Sequence, residues 1–355
     1  MERVRSLDLK RWEQALFMLL RAGLWQKQPQ SMSLFPLSDE EWEQLFHESC
    51  RQTVQGLLFR GFQQLPEELF PPESLVIRWL ADIDRIEQNY YETQQATAAT
   101  CKMLRSVGCE PLLLKGLAVG CLYDHPEERV YGDVDWYVSN MQTVVEKLHQ
   151  KGVGTERHAD RSHCFCYHDT VIELHDQLID LPTNSHREVL KNLIDDGPLS
   201  HLSNSDPQIS ILNPIQTLVM LQTHILKHAA TVGVGLRQLC DLARAYHMYH
   251  DQVDYSRLTD YYRRLGLMRW TKLTHTFLHV YLGVPSNELP AEHNASEKDC
   301  LRFARRVLSW GNFGQSDTPS SKLHTAKQIA RNLPFALNYS PRMIVRHICT
   351  LIVNQ

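Results

Sequence analysis

Near Glu110 the hydrophobic pattern of this chain changes period, and that change limits the folds open to it more than any other feature. Before it, apolar residues recur at helical spacing: Trp12, Ala15, Leu16, Leu19 and Leu20, with Gly23 near the stop. Ser38 and Glu41 form a capping-box pattern ahead of Trp42, Leu45 and Phe46. From Glu73 to about Val107 there is neither Gly nor Pro. The apolar face expected there holds Val76, Trp79, Leu80, Ile83 and Ile86, and Gly108 closes it.

After Glu110 the segments are shorter. PLLLK, entered through Pro111, reads as a buried strand, GLAVGCLY as a short helix, and DVDWYV as an alternating strand. MQTVVEKLHQKG reads as a helix closed by Gly152, and HCFCYHDTVIELH as two strands joined at Asp169-Thr170. The order β-α-β-α-β-β within so few residues is a compact α/β unit. Helix returns after about Pro207, where Asn213-Pro214 makes a good cap and first turn ahead of Leu218, Val219, Ile225 and Leu226. A loop at Gly233 and Gly235 precedes another helix with Leu236, Leu239 and Leu242, and QSDTPSS (Gln315 to Ser321) is a polar loop. The expected division is a helical domain over 1–108, an α/β core over 109–206 and a second helical domain over 207–355.

A chain of 355 residues buries an ample core. With 37 basic against 41 acidic residues, its net charge of -4 gives no general pull toward nucleic acid. Nine cysteines without a CxxC pair suit a reducing compartment better than a disulfide framework or a zinc site. MERVRSLDLKRWEQ lacks a signal peptide's apolar stretch, and no apolar run approaches bilayer length. A cytoplasmic protein with no membrane partner is expected.

The chemistry concentrates in RVYGDVDWYV. Strand residues two apart point the same way, so Asp133 and Asp135 project together while Val134 and Trp136 face the opposite side. Two adjacent carboxylates repel, and a divalent cation between them removes the penalty. Mg²⁺, or Mn²⁺ in its place, takes hard oxygen ligands and keeps positions for water and phosphate. In VIELH, Glu173 and His175 share a strand face. If that strand pairs beside DVDWYV, Glu173 completes a triad able to hold one or two metals.

Upstream, Lys115 and Gly116 end PLLLK and open a helix, a turn whose N–H groups, dipole and lysine suit phosphate. Arg129 stays open between a phosphate contact, a brace for Asp133 and an ordinary surface ion pair. His224 and His228, four apart on a helix, read as packing or as hydrogen-bond support for the site rather than as zinc ligands, since no HExxH accompanies them. Arg237 and Asp241 have the spacing of a helix-surface pair. In HCFCYH the histidines and thiols do not converge, so Cys164 and Cys166 read as core thiols. The last segment, MIVRHICTLIV, reads as a docked C-terminal helix.

Taken together, LLLKGLAVGCLYDHPEERVYGDVDWYV and VIELHDQL resemble the uncharacterised nucleotidyltransferase family of the DNA polymerase β superfamily, over about residues 110 to 180. THILKHAATVGVGLRQLCDLARAY resembles the family's His-rich helical segment and its following Asp, and WGNFG a segment of some members. The resemblance implies an α+β fold, a small mixed-sheet core flanked by N- and C-terminal helical domains. It implies Mg²⁺-dependent transfer of a nucleoside monophosphate from an NTP to a hydroxyl on a small molecule, sugar, protein or nucleic-acid end. Asp133, Asp135 and Glu173 would then be the catalytic metal ligands, and Lys115 and Gly116 would lie near the triphosphate. His175, His224, His228 and Asp241 would support them. Asp135 and Glu173 are both open as base for the acceptor hydroxyl. Two departures stand out: Leu117 follows Gly116 where the superfamily favours a small or hydroxyl residue, and Glu173 replaces the commoner Asp. The first favours an alternative, a nucleotide-binding or scaffold protein of the same fold without turnover.

Overall fold

Glu73–Ser106 forms one helix of 34 residues, as a run free of Gly and Pro permits. The computed structural model describes residues 9–29, 31–158, 161–179, 187–203, 205, 207–290, 293–311, 322–341 and 344–345. In chain order this helix is α4, after α1 (Arg11–Trp25), α2 (Asp39–Gln52) and α3 (Gln55–Phe62). The expected capping box starts α2: the Ser38 hydroxyl accepts from the Glu41 N–H at 3.3 Å, and the Glu41 carboxylate accepts from the Ser38 N–H at 3.0 Å.

The two halves of α4 serve two cores. Leu75, Trp79, Ile83 and Ile86 join the apolar cluster of the helices, whereas Ala96, Cys101 and Leu104 join the cluster beneath the sheet. The stripe is therefore narrower than the sequence suggested. Leu80, expected on the buried face, is 49% exposed, because the inner positions follow the spacing of Leu75, Trp79 and Ile83 and leave Leu80 past their edge. Toward the C-terminus the buried residues include Thr93, Thr97 and Thr100, each hydroxyl donating to the carbonyl four residues back at 2.7 Å. That arrangement buries small residues with their polar atoms satisfied and lets the sheet approach closely.

After α4 come β1 (Leu112–Leu113), α5 (Leu117–Gly120), β2 (Val134–Tyr137), α6 (Met141–Gln150), β3 (Glu156–Arg157), β4 (His163–Tyr167) and β5 (Thr170–His175). Next are α7 (Arg187–Ile194), β6 (Ser200–His201) and β7 (Ser210–Ile211). The fold is α+β. Its described strands form one mixed sheet in the order β3-β4-β5-β2-β1-β7-β6, parallel at β2/β5 and β1/β7 and antiparallel elsewhere. Because β7 pairs with β1, the sheet extends past residue 206, where the sequence suggested a boundary. One sheet face carries Val134, Trp136, Phe165, Ile172 and Leu174 into the core, and the buried Trp136 indole donates to the Thr100 hydroxyl at 3.0 Å. Phe165 is the inward residue of β4. Cys166 is exposed and Cys164 half-buried on the opposite face, so they are not the core thiols the sequence suggested.

Helices complete the chain: α8 (Pro214–Ala230), α9 (Leu236–Tyr249), α10 (Tyr255–Arg264), α11 (Met268–Leu282), α12 (Glu297–Trp310) and α13 (Lys322–Tyr339). Asn213 caps α8 reciprocally with Gln216. These helices do not form a core apart from the N-terminal ones. The Phe17 ring lies 4.7 Å from that of Tyr281, the Arg21 Nε donates to the Tyr281 carbonyl at 2.9 Å, and one apolar cluster runs through both sets. The QSDTPSS loop, all of WGNFG beyond Gly311 and most of the MIVRHICTLIV segment, expected as a docked helix, lie outside the described residues. Among those described, no helix is long and apolar enough to cross a membrane.

Glycines set the crossing of α1 and α3. A methyl at Gly23 would strike the Leu57 carbonyl, and one at Gly61 the Leu19 carbonyl, so the two backbones touch where side chains would otherwise separate them. Gly23→Ala is expected to cost about 2–3 kcal/mol despite alanine's better helix propensity, since overpacking against backbone has no cheap relief. Urea unfolding of the variant measures this; an equal or raised midpoint would contradict the crossing.

Candidate active site

The face of the sheet opposite Trp136 carries the polar residues. Asp135 on β2 lies in register with Glu173 on the parallel strand β5, so their side chains emerge beside each other, and His175 follows two residues later on the same face. Oxygen and nitrogen atoms of Asp135, Glu173 and His175 all lie within 4.8 Å of one another. The His175 Nε2 is 2.9 Å from Asp135 Oδ1 and 3.4 Å from Glu173 Oε2. From the turn that follows β1, Lys115 places its Nζ 2.8 Å from the same Asp135 oxygen. Asp135 is buried, at 2% exposure, and burial alone would raise its pKa. Lys115 and His175 outweigh that and hold the carboxyl well below the usual range.

Asp133 stands exposed just ahead of β2, outside that tight group. Its carboxyl is raised, first by the charge of Asp135, then by burial, with Lys115 opposing. Of the three expected carboxylates, Asp135 and Glu173 converge, Asp133 stands near enough to feel both charges, and His175, expected only in support, is in direct contact with two carboxylates. The donor set fits a divalent cation. Carboxylate crowding raises Asp133, and two acids with an imidazole converge from adjacent strands, a mixture that suits Mg²⁺ through its oxygens and Mn²⁺ through both atom types.

His175 responds to this crowding. Burial disfavours its cation, but the hydrogen bonds to Asp135 and Glu173 prevail and push it up to about 9. Its folded value exceeds the ordinary 6.5, so its stabilising contribution is complete below that pH and lost as pH rises through about 9. In chelator-treated buffer the protein is expected to lose on the order of 2 kcal/mol of unfolding free energy across this interval. A His175→Gln chain should lose much less; parallel pH slopes by denaturant titration would show that His175 is not the responsible group.

The Lys115-Gly116 turn differs from its expectation. Gly116 has φ +59 and ψ -114, and a methyl there would meet only the Asp133 carbonyl at 3.6 Å, so glycine is required by conformation and not by space. The helix it opens, α5, has four residues, too few for the dipole the sequence suggested to be substantial. Leu117 is buried in the core beneath the sheet, so its side chain does not occupy the turn's open side.

Arg129 and Asp241 correct two readings together. Arg129 is buried and makes a bidentate pair with Asp241, both contacts 2.8 Å, and neither braces Asp133 nor lies on the surface. Asp241 also accepts from the Tyr123 hydroxyl at 2.8 Å. Arg237, expected to pair with Asp241 on the helix surface, donates to the Val130 carbonyl at 2.8 Å. These contacts tie the segment between Tyr123 and Asp133 to α9. Tyr123 was given no role from sequence, because a tyrosine does not show which distant carboxylate it will meet.

On the other flank, a cleft of about 300 Å³ runs between the sheet and α8, lined by Leu114, Lys115, His175, Leu178, Met220 and His224. His224 therefore faces the site, and its Nε2 lies 3.1 Å from that of His228, one turn further along. Among the described residues, neither histidine belongs to a group of three metal-ligating side chains. With this geometry in view, the comparisons with known proteins add one match: the model of a family described as "uncharacterised nucleotidyltransferase" covers residues 38–283. No curated protein and no solved structure matches the chain.

Proposed function

Because this chain belongs to the uncharacterised nucleotidyltransferase family, we propose that it transfers a nucleoside monophosphate from an NTP to a hydroxyl-bearing acceptor, using Mg²⁺ or Mn²⁺. The observation that carries this reading is the register of Asp135 with Glu173 on parallel neighbours, with Asp133 close by and Lys115 against Asp135. Asp133, Asp135 and Glu173 would hold the cation, which when bound neutralises phosphate oxygens and acidifies the acceptor hydroxyl.

The chain's own residues have distinct tasks. His175 fixes the Asp135 carboxylate by donating to it, and Lys115 supplies positive charge at the edge where the triphosphate would lie. The acceptor oxygen forms a bond to the α-phosphorus while the bond from that phosphorus to the bridging oxygen breaks, and pyrophosphate leaves with the electron pair. The hydroxyl proton passes to Glu173, the more open of the two carboxylates at 22% side-chain exposure, whereas Asp135 already accepts from two cations. Positioning and electrostatics do the catalysis.

The alternative, a nucleotide-binding or scaffold protein without turnover, drew on Leu117. Its burial in the core weakens that argument, since the residue does not stand in the triphosphate's place. Calorimetry with each of the four NTPs separates the outcomes: metal-dependent binding is expected for at least one, and none for any sinks the transferase and the nucleotide-binding protein and leaves the scaffold. Pyrophosphate release on adding cell extract supports the transferase, and binding without release across extracts supports the alternative.

A further inference from the structure

The cleft of about 300 Å³ between the sheet and α8 begins at the carboxylates, because two residues that line it, Lys115 and His175, touch Asp135 at 2.8 and 2.9 Å. Elsewhere its walls are largely apolar: Leu114 from just after β1, Leu178 and Ile179 from the segment after β5, and Met220 from α8. No carboxylate is among the described residues that line it. Its size is at the lower end of small-molecule sites, which suits one ring system rather than a whole nucleotide.

Most polar groups of the lining already have partners. Lys115 and His175 are held on Asp135, and the His224 Nε2 is against that of His228 at 3.1 Å. The Thr223 hydroxyl donates back to its own helix, to the Val219 and Met220 carbonyls at 3.0 and 2.9 Å. Gln177 differs. It follows His175 by two residues and is half-buried, and among the described residues nothing accepts from or donates to its amide. A carboxamide offers a donor and an acceptor side by side, here in a cleft whose other walls offer little of either. Glu173, His175 and Gln177 thus lead, at alternate positions of one segment, from the carboxylates into the cleft.

We propose that this cleft holds the base of the NTP, that the base is adenine, and that Gln177 selects it. A carboxamide pairs with adenine through two bonds: its N–H donates to a ring nitrogen, and its oxygen accepts from the 6-amino group. Adenine has that one exocyclic polar group. Each of the other three bases has two, since guanine adds a 2-amino group and cytosine and uracil a 2-carbonyl. Against Leu178, Ile179 and Met220 the additional group would lose water without gaining a partner, which disfavours those bases. The direction suits transfer as well. With the base in the cleft, the phosphates would lie at the Lys115 and His175 end, beside Asp135. The inference rests on the transferase reading for the presence of an NTP, and adds which NTP it is and which residue reads it.

The test uses the full chain with Mg²⁺ and each NTP, by calorimetry, with inorganic tripolyphosphate as a probe of the phosphate end alone. ATP is expected to bind about tenfold more tightly than GTP, CTP or UTP, the scale set by one unpaired polar group. Gln177→Leu, close in size but without the amide, should weaken ATP about tenfold and bring all four NTPs within about threefold of one another. Tripolyphosphate should change by less than about twofold in that variant, since it does not reach the cleft's apolar end. Where Gln177→Leu fails to fold, the unaltered chain is titrated with purine riboside triphosphate, which lacks the 6-amino group and is expected to bind about tenfold more weakly than ATP. Another NTP preferred to ATP, purine riboside triphosphate equal to ATP, or an unchanged ATP affinity in a folded Gln177→Leu chain overturns the proposal. So does a loss of tripolyphosphate binding equal to that of ATP, which would mean that Gln177 only supports the fold. In each of those outcomes NTPs still bind with metal and the transferase reading stands; if no NTP binds, both fall.

Discussion

Asp135→Asn is expected to lower metal-dependent pyrophosphate release by about three orders of magnitude, the scale of losing several kcal/mol of charge stabilisation in the transition state. The substitution keeps the side chain's shape and one acceptor oxygen, so it isolates charge from packing. Asp135 is the residue on which the site converges: buried at 2%, in register with Glu173, 2.8 Å from Lys115 and 2.9 Å from His175. Without its charge the proposed cation would lose its least exposed ligand, and Lys115 and His175 would lose the carboxylate they contact. A coupled pyrophosphate assay in active extract gives the rate, and a thermal melt shows whether the chain is folded. Unchanged release from a folded Asp135→Asn chain would remove this residue, and the reading built on it, from the chemistry.

The second large effect is on stability. Asp241→Ala is expected to cost about 3–5 kcal/mol, as breaking one side of a buried ion pair does. Arg129 would remain buried at 8% exposure without its bidentate partner, and the Tyr123 hydroxyl would lose its acceptor. The expected sign is specific. A double change, Arg129→Met with Asp241→Leu, should cost much less than either single change, because no uncompensated charge is left. Asp241 is held below the usual carboxylate range; burial opposes this, and Arg129 outweighs it. Its contribution is thus present above that range and lost only on acidification through the lowered value. Urea unfolding of the two single variants and the double variant measures the coupling; additive losses would mean that the pair contributes nothing as a pair.

Much of the site was legible because strand alternation is a local property. DVDWYV specifies which residues face the core and which face out, and the acid in VIELH needed only a neighbouring strand to become a partner. The capping box at Ser38 and the N-cap at Asn213 were legible because they too are local. What sequence could not supply was contact between distant elements. The Arg129–Asp241 pair joins positions 112 residues apart, and nothing in the spacing of Arg237 and Asp241 indicates that a remote arginine contacts both oxygens of that acid. The width of the α4 stripe escaped for a related reason. Leu80 fits a helical face, but only the packed neighbours decide where that face ends. The cysteines of β4 were misplaced because alternation divides a strand into two faces without saying which is inward.

The joining of α1 to α11 has a consequence for how the protein is made. The hydrogen bond between Arg21 and Tyr281 spans 260 residues. At roughly 5–20 residues per second, a ribosome needs roughly 13–50 s to supply the second partner after the first. Through that interval Phe17 waits for the rings of Phe277 and Tyr281, so the nascent chain presents an oily surface that a chaperone can hold. For the same reason, dividing the gene between the sheet and the later helices would give two fragments, neither owning a complete interior, which should become soluble only when expressed together.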